Sequence, residues 1–248
     1  EEGSGKVKYF ESHWPLDDPE KRRGGQILAE QSNLALDRCS GDWCVYLQAD
    51  EVLHEDDLPK IRSAMERNLG DPSIDGLLFR YVHFYGSFDV VRKSRGAYRR
   101  EVRIVRRSSG SRSVGDAQSF RLPDGEKPRV KLIDAAIYDY GWVRPTEVMR
   151  EKTVFMDSLY HGGGSEDGSG NPATGDNYRY KKIWGLVPFV GTHPKVMLPR
   201  IVEKKWSWDL DRSPLEWEWK DAKKIALDLF ERATGVRLFE YRSYRRVR

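Results

Sequence analysis

Two carboxylates, Asp50 and Glu51, follow closely on the apolar run Trp43-Cys44-Val45-Tyr46-Leu47. An apolar run of this length reads as a buried strand. Carboxylates just beyond it lie at the C-terminal end of that strand, where open α/β sheets bind ligands. An ionised carboxylate beside a buried strand is costly without a partner. A divalent cation carrying a substrate's phosphates is one such partner, because Mg²⁺ is held by one or two carboxylates plus phosphate oxygens. A strand that ends in a solvated turn accounts for the same two residues, so taken alone they leave both readings open.

The elements that position this tip sharpen the reading. Residues 25–38 carry Ile27, Leu28, Leu34, Ala35 and Leu36, with Asn33 among them, and read as a helix packed on a sheet. The order is helix, Gly41-Asp42-Trp43 turn, buried strand, acidic tip. This order resembles glycosyltransferase family 2, in which a helix with an Asn leads through a Gly-Asp-Trp turn to an Asp-x-Asp metal motif followed by Glu. Here the motif stands as Gln48-Ala49-Asp50-Glu51, with Gln48 in place of the first Asp. The resemblance covers roughly residues 6–160, and Gly191 to Ile201 is similar to a bacterial subgroup. It implies an α/β fold of GT-A type, a Rossmann-like mixed sheet flanked by helices. It also implies transfer of a sugar, with inversion, from a nucleotide diphosphate sugar to a hydroxyl on a glycan, lipid-linked or small-molecule acceptor. Asp50 is then the ligand of a divalent cation, Mn²⁺ or Mg²⁺, and Gln48 and Glu51 are substrate-binding neighbours in the cleft. Gln is a poorer ligand for these ions than a carboxylate, but it can bond a ribose or pyrophosphate oxygen.

The resemblance extends to further residues. Tyr98 to Arg107 is similar to the Arg-rich strand that follows the metal strand in the family, which places Arg103 among the substrate-binding candidates. Ser113-Val114-Gly115-Asp116-Ala117-Gln118 falls where family members carry the catalytic base. An inverting transferase needs a carboxylate to accept the proton of the attacking hydroxyl. Asp116 is the first candidate and Glu101 the second; a turn-forming Asp after Gly is the plain structural account. The segment Ala135 to Val143 resembles one that carries a His before Tyr-Gly-Trp, and Asp139 stands at that position. Asp139 either completes the metal site or ends a strand. Arg144 and Lys152 offset diphosphate charge in this reading, and surface salt bridges are their alternative.

Composition sets outer bounds. With 248 residues the chain suffices for one large α/β domain, or for one domain with an extension. No stretch approaches ~18 consecutive apolar residues, so no transmembrane segment is expected, and the start has no basic and apolar regions of a signal peptide. The expected location is the cytoplasm or, peripherally, the inner membrane face. Cys39 and Cys44 lack Cys-x-x-Cys spacing and read as buried thiols. His83, His161 and His193 show no metal spacing; His193 reads as a helix cap and His54 as a residue of an exposed loop. The excess of positive charge gathers in residues 92–112, which hold nine Lys and Arg. A nucleic-acid-binding domain using this cluster is the rival from another class. A degenerate transferase that binds a glycan without turnover is the third reading. The family reading expects no nucleic-acid partner.

Periodicity predicts a strand at 6–10, a helix from about 55 to 69, and strands at 76–84, 98–106, 129–134 and 135–140. Helices follow from 144 to about 159, from 192 to about 205, and from a capping box at Ser213-Pro214-Leu215-Glu216 to Ala233, closed by Gly235. The domain expectation is a partial GT-A-like domain over 1–160, a flexible Gly-rich loop over 161–177 and a helical C-terminal extension over 178–248 packed on the same domain. Family 2 domains open with two further strand–helix units that hold the nucleotide base, and the expectation is that the natural chain carries them upstream.

Overall fold

The computed structural model describes residues 7–161 and 178–247. In chain order these form α1 (Pro19–Arg22), α2 (Gln26–Leu36), β1 (Trp43–Val45), β2 (Glu51–Leu53), α3 (Leu58–Arg67), β3 (Gly76–Tyr85), β4 (Ser87–Arg92) and β5 (Arg100–Arg106). There follow β6 (Arg112–Val114), β7 (Ser119–Arg121), β8 (Arg129–Trp142), α4 (Thr146–His161), β9 (Leu186–Pro188), α5 (Leu198–Val202), α6 (Trp219–Thr234) and β10 (Arg245–Val247). No helix among the described residues is long and apolar enough to cross a membrane.

Eight strands make one mixed sheet, and β6 and β7 make a separate hairpin. At the centre β3 and β8 run parallel, from Gly76 beside Val130 to Tyr85 beside Trp142. Antiparallel β5 lies on β3, β1 lies on β5, and β2 lies on β8. Strands in such a centre are covered on both faces, so they read as continuous apolar runs; Gly76-Leu77-Leu78-Phe79 is one, and all four residues are buried. One face sets Leu77, Phe79, Ile104 and Ile137 against Ile61 and Ala64 of α3. The other sets Leu78, Val102, Val105 and Val130 against Cys44 and Phe120. Each fully buried side chain of this kind contributes about 1.5–3 kcal/mol, so the two-sided burial of β3, β5 and β8 builds the rigid platform for everything at the sheet's edge.

The Arg-rich strand is internal. Arg106 is buried and donates to the carbonyls of Asn68, Leu69, Asp71 and Ile74 at 2.6–2.9 Å, with its guanidinium 4.3 Å from the centre of the Trp43 ring. It thereby satisfies the carbonyls left open where α3 ends. Arg95 donates to the carbonyls of Leu227 and Leu238, and Arg99 pairs with Glu231 at 2.7 Å, so both tie α6 to the sheet.

Several sequence expectations shift. Residues 7–10 are irregular and exposed, with no strand. The strands expected at 129–134 and 135–140 are one 14-residue strand, β8. The helix expected from 192 is a 3-10 turn at Lys195–Met197 followed by the short α5. The capping box exists, but on Glu218 and Asp221, so α6 begins at Trp219 and closes at Gly235 as expected. The C-terminal part is more than helical: β9 extends the sheet beyond β4, and β10 runs parallel to the start of β8. The Gly-rich stretch from 162 on lies outside the described residues. Cys44 is buried, and burial together with the neighbouring Cys39 pushes its thiol up to about 12, which leaves it an inert packing group.

Candidate active site

A cleft of about 880 Å³ opens at the tip of β1, and residues from widely separated parts of the chain line it. The β1–β2 connection supplies Gln48 and Asp50, the end of β8 supplies Asp139 and Gly141, α4 supplies Lys152, the β6–β7 hairpin supplies Asp116, and α2 supplies Gln31 and Ser32. Thus four of the eight residues singled out in the sequence, Gln48, Asp50, Asp116 and Asp139, share one wall-to-wall space.

Local chemistry explains how each reaches it. The Asn33 side chain of α2 donates to the Ser113 carbonyl at 2.9 Å and accepts from its N–H at 2.8 Å. This amide imitates a strand partner and clamps the hairpin that bears Asp116. The hairpin turns through Gly115, at φ 61°, and Ala117, at φ 62°. A left-handed alanine costs of order 1 kcal/mol and persists where its surroundings fix it. Here Ala117 is buried and lines the cleft beside Asp116.

Asp50 and Asp139 meet over Gly141. A Cβ at Gly141 would lie 2.6 Å from Asp50 Oδ2, 3.0 Å from Asp139 Oδ1 and 3.0 Å from Lys152 Nζ, so a larger residue there would displace these three side chains. Lys152 Nζ donates to Asp50 Oδ2 at 2.9 Å and to the Gly141 carbonyl at 3.0 Å. Asp139 Oδ1 accepts the Gly141 N–H at 2.8 Å, and its Oδ2 lies 3.0 Å from His83 Nδ1. The other ring nitrogen of His83 lies 2.9 Å from the Tyr98 carbonyl. Both ring nitrogens of His83 therefore face oxygens.

The other four candidates stand elsewhere, and three call for correction. Glu51 and Arg103 are a buried ion pair and line no part of the cleft: their side chains are 0% and 1% exposed, with Arg103 Nη2 at 2.7 Å from Glu51 Oε1. Glu51 also accepts from the Tyr81 hydroxyl and, at 3.1 Å, from the Gln48 backbone N–H. Burial disfavours the Arg103 charge, but the bonds and charge of Glu51 outweigh it and hold the guanidinium protonated. The pair is a staple: it fixes the Gln48–Glu51 turn to β5 and β3 and so aims Asp50. Glu101, the second base candidate, is buried behind Tyr98 and Gln118, in a neighbouring cavity. Burial, opposed by Arg103 and assisted by the negative charges of Glu51 and Asp116, pushes its carboxyl up to about 8. Its place in that cavity, outside the cleft that holds Asp50 and Asp116, separates it from the base position. Arg144 lines a different, smaller cavity that meets the cleft at Ala49 and Asp50.

His54 and His193 also differ from expectation. His54 is buried, caps the turn after β2 by accepting from the Asp56 N–H at 3.2 Å, and bonds Thr192 at 3.0 Å. It forms a close group with Glu55 and Asp56, away from the cleft. His193 packs on Phe84 and Phe189 and bonds the Tyr140 hydroxyl at 2.8 Å, a core role in place of a cap.

Lys152, His83 and Asn33 matter more than the sequence showed. The alternation of Tyr81, His83 and Tyr85 along β3 was the available signal for His83, because alternate residues of a strand share a face. No family model matches this chain, and no curated protein sequence matches it.

Proposed function

We propose that the cleft binds a nucleotide diphosphate sugar and transfers its sugar, with inversion, to a hydroxyl acceptor. The observation that carries this reading is that Asp50 and Asp116 line one cavity, with Lys152 paired to Asp50 on its floor. The mixed sheet, with its strand running into the Gln48–Asp50 turn beside long β8, is read with it as GT-A-like. Asp116 accepts the proton of the acceptor hydroxyl as that oxygen attacks the anomeric carbon. The bond from that carbon to the diphosphate oxygen breaks, and its electron pair leaves with the diphosphate. General-base assistance of this kind is worth about 10²–10⁴-fold.

The charge on the leaving diphosphate needs a partner. The family resemblance assigns this to a divalent cation on Asp50 and Asp139, but the donors here fit such an ion poorly. Asp50 already receives an ammonium, both oxygens of Asp139 are engaged, and the third position is the amide Gln48, whose Nε2 lies 3.2 Å from the Tyr46 hydroxyl. Mg²⁺ demands near-octahedral oxygen ligation. Lys152, 27% exposed and facing the cleft, supplies a fixed positive charge instead. Electrostatic stabilisation of a leaving anion is the kind of contribution such a group makes.

The nucleic-acid reading loses support from the same geometry. It needs arginines free to meet phosphates, whereas the side chains of Arg95, Arg103 and Arg106 are buried against carbonyls and carboxylates of the protein itself. The test of the proposal is a panel of nucleotide sugars assayed for nucleoside diphosphate release. The degenerate, glycan-binding reading predicts binding without release.

A further inference from the structure

The smaller cavity beyond Asp50 has a chemistry of its own. It measures about 280 Å³ and has Phe88, Tyr140, Val143 and Met197 for its apolar part and Arg144, Arg200, Lys204 and Trp206 for its polar part. Those four polar residues are donors only; none of their side chains has an oxygen. Two of the donors, Arg144 Nε and Trp206 Nε1, are buried and have no hydrogen-bond partner. Among the described residues neither Arg144 nor Arg200 forms an ion pair, and Lys204 reaches only the Ser87 hydroxyl, at 3.4 Å, with its ammonium 5.8 Å from the centre of the Trp206 ring. A buried donor without an acceptor is costly, and native structures leave few of them unexplained. Two carboxylates also border the space: Asp50 is already neutralised by Lys152, and Glu203 is exposed.

A wall rich in donors, two of them without a partner, fits a ligand group made only of acceptors. We infer that this cavity is a binding subsite for an anionic oxygen group, a phosphate in first place, on a sugar that extends over Asp50 into the cleft. This rests on the transferase reading for one step only, that the group belongs to the acceptor; the anion site itself stands on the cavity. The volume is at the small end of ligand pockets, about 300–1,000 Å³, so it takes one group rather than a whole substrate. Phe88 and Tyr140, both buried, give the space an apolar wall, and a rotation of Arg144 or Trp206 toward the bound oxygens supplies the missing partners. The acceptor is thereby narrowed to a phosphorylated sugar or a sugar acid, the two common sources of such a group.

The indole N–H of Trp206 reports on this directly. The full chain, labelled with ¹⁵N, is titrated with inorganic phosphate, with glucose 6-phosphate, with glucuronate and with glucose, and the Trp206 resonance is identified by its loss in Trp206→Phe. A saturable shift of that resonance with phosphate, weakened about tenfold or more in Arg200→Gln, is expected, because a charge-assisted bond is lost. Arg200 is exposed, so this variant keeps the fold. Tighter binding of glucose 6-phosphate than of inorganic phosphate assigns the group to a phosphosugar, and preference for glucuronate assigns it to a sugar acid. An unmoved Trp206 resonance, a shift indifferent to Arg200→Gln, or an equal response to glucose overturns the inference. No donor is present in this titration, so failure of the transferase reading leaves its outcome untouched. Nucleotide-sugar turnover with a silent Trp206 refutes the subsite alone.

Discussion

Replacing Glu51 by Gln tests whether this carboxylate is a staple of the fold or a group of the cleft. The side chain is nearly isosteric, so little packing is lost, but the Arg103 guanidinium stays buried without its counter-charge. Bonds of 2.7, 3.0 and 3.1 Å from Arg103 are weakened or turned into donor–donor contacts, and Tyr81 and the Gln48 N–H lose part of their acceptor. Breaking a buried pair by neutralising one partner costs about 3–5 kcal/mol. For a chain of this size each kcal/mol moves Tm by about 2–4 °C, so a fall of about 6–20 °C is expected. Urea and thermal unfolding followed by circular dichroism measure both quantities. Asp50→Asn is the control: Asp50 is 21% exposed and its pair with Lys152 borders the solvent-filled cleft, so a cost of no more than about 1 kcal/mol is expected. The double change Glu51→Leu with Arg103→Met removes both charges and is expected to lose less than Glu51→Gln alone. A Glu51→Gln protein as stable as the parent but catalytically dead would refute this reasoning and return Glu51 to the substrate.

Three further outcomes follow from the site. Asp116→Asn lowers turnover by about 10²–10⁴-fold with donor affinity nearly unchanged; normal turnover in steady-state kinetics removes the assignment. Lys152→Ala weakens the binding of pyrophosphate measured by calorimetry, while the parent protein binds it equally in EDTA and in Mg²⁺; a strict metal requirement in the parent restores the divalent-cation reading. Glu101 titrates near 8 in the folded protein against an ordinary 4.5, so between these values the native state holds a proton that the unfolded chain has released. Its contribution is thus neutral below about pH 4.5, turns destabilising as pH rises, and levels off above about pH 8. Glu101→Gln is expected to flatten the fall in stability across that window, and unfolding curves with unchanged pH dependence count against the buried, protonated state.

Much of the platform was legible because burial and period agree there. α2, α3, β3, β5 and the Gly235 stop follow from apolar spacing and from a residue that tolerates positive φ. β8 was split in two because its parallel partner sets its length, and a partner is invisible to a local pattern. Sequence order also could not tell which charged residues face inward. Glu51 and Arg103 carry the same charges as cleft residues, and only the third dimension shows them bonded to each other beneath it. Asp116 was singled out by the family resemblance, with a turn after Gly115 as its plain account, and the clamp from Asn33 that aims the hairpin joins residues far apart in the chain. Lys152 was noticed as a charge; its contact with Asp50 depends on where α4 packs.

The central claim is that Asp50, Lys152 and Asp116 act together on a nucleotide diphosphate sugar. The most direct measurement follows nucleoside diphosphate release from a panel of sugar nucleotides by ³¹P NMR, using the parent protein and Asp116→Asn side by side. The account predicts that one donor is bound by both proteins, that the parent releases its nucleoside diphosphate and forms a product of inverted anomeric configuration, and that Asp116→Asn binds that donor with release reduced about 10²-fold or more. Binding of no sugar nucleotide by either protein, or release that proceeds equally in both, would contradict it.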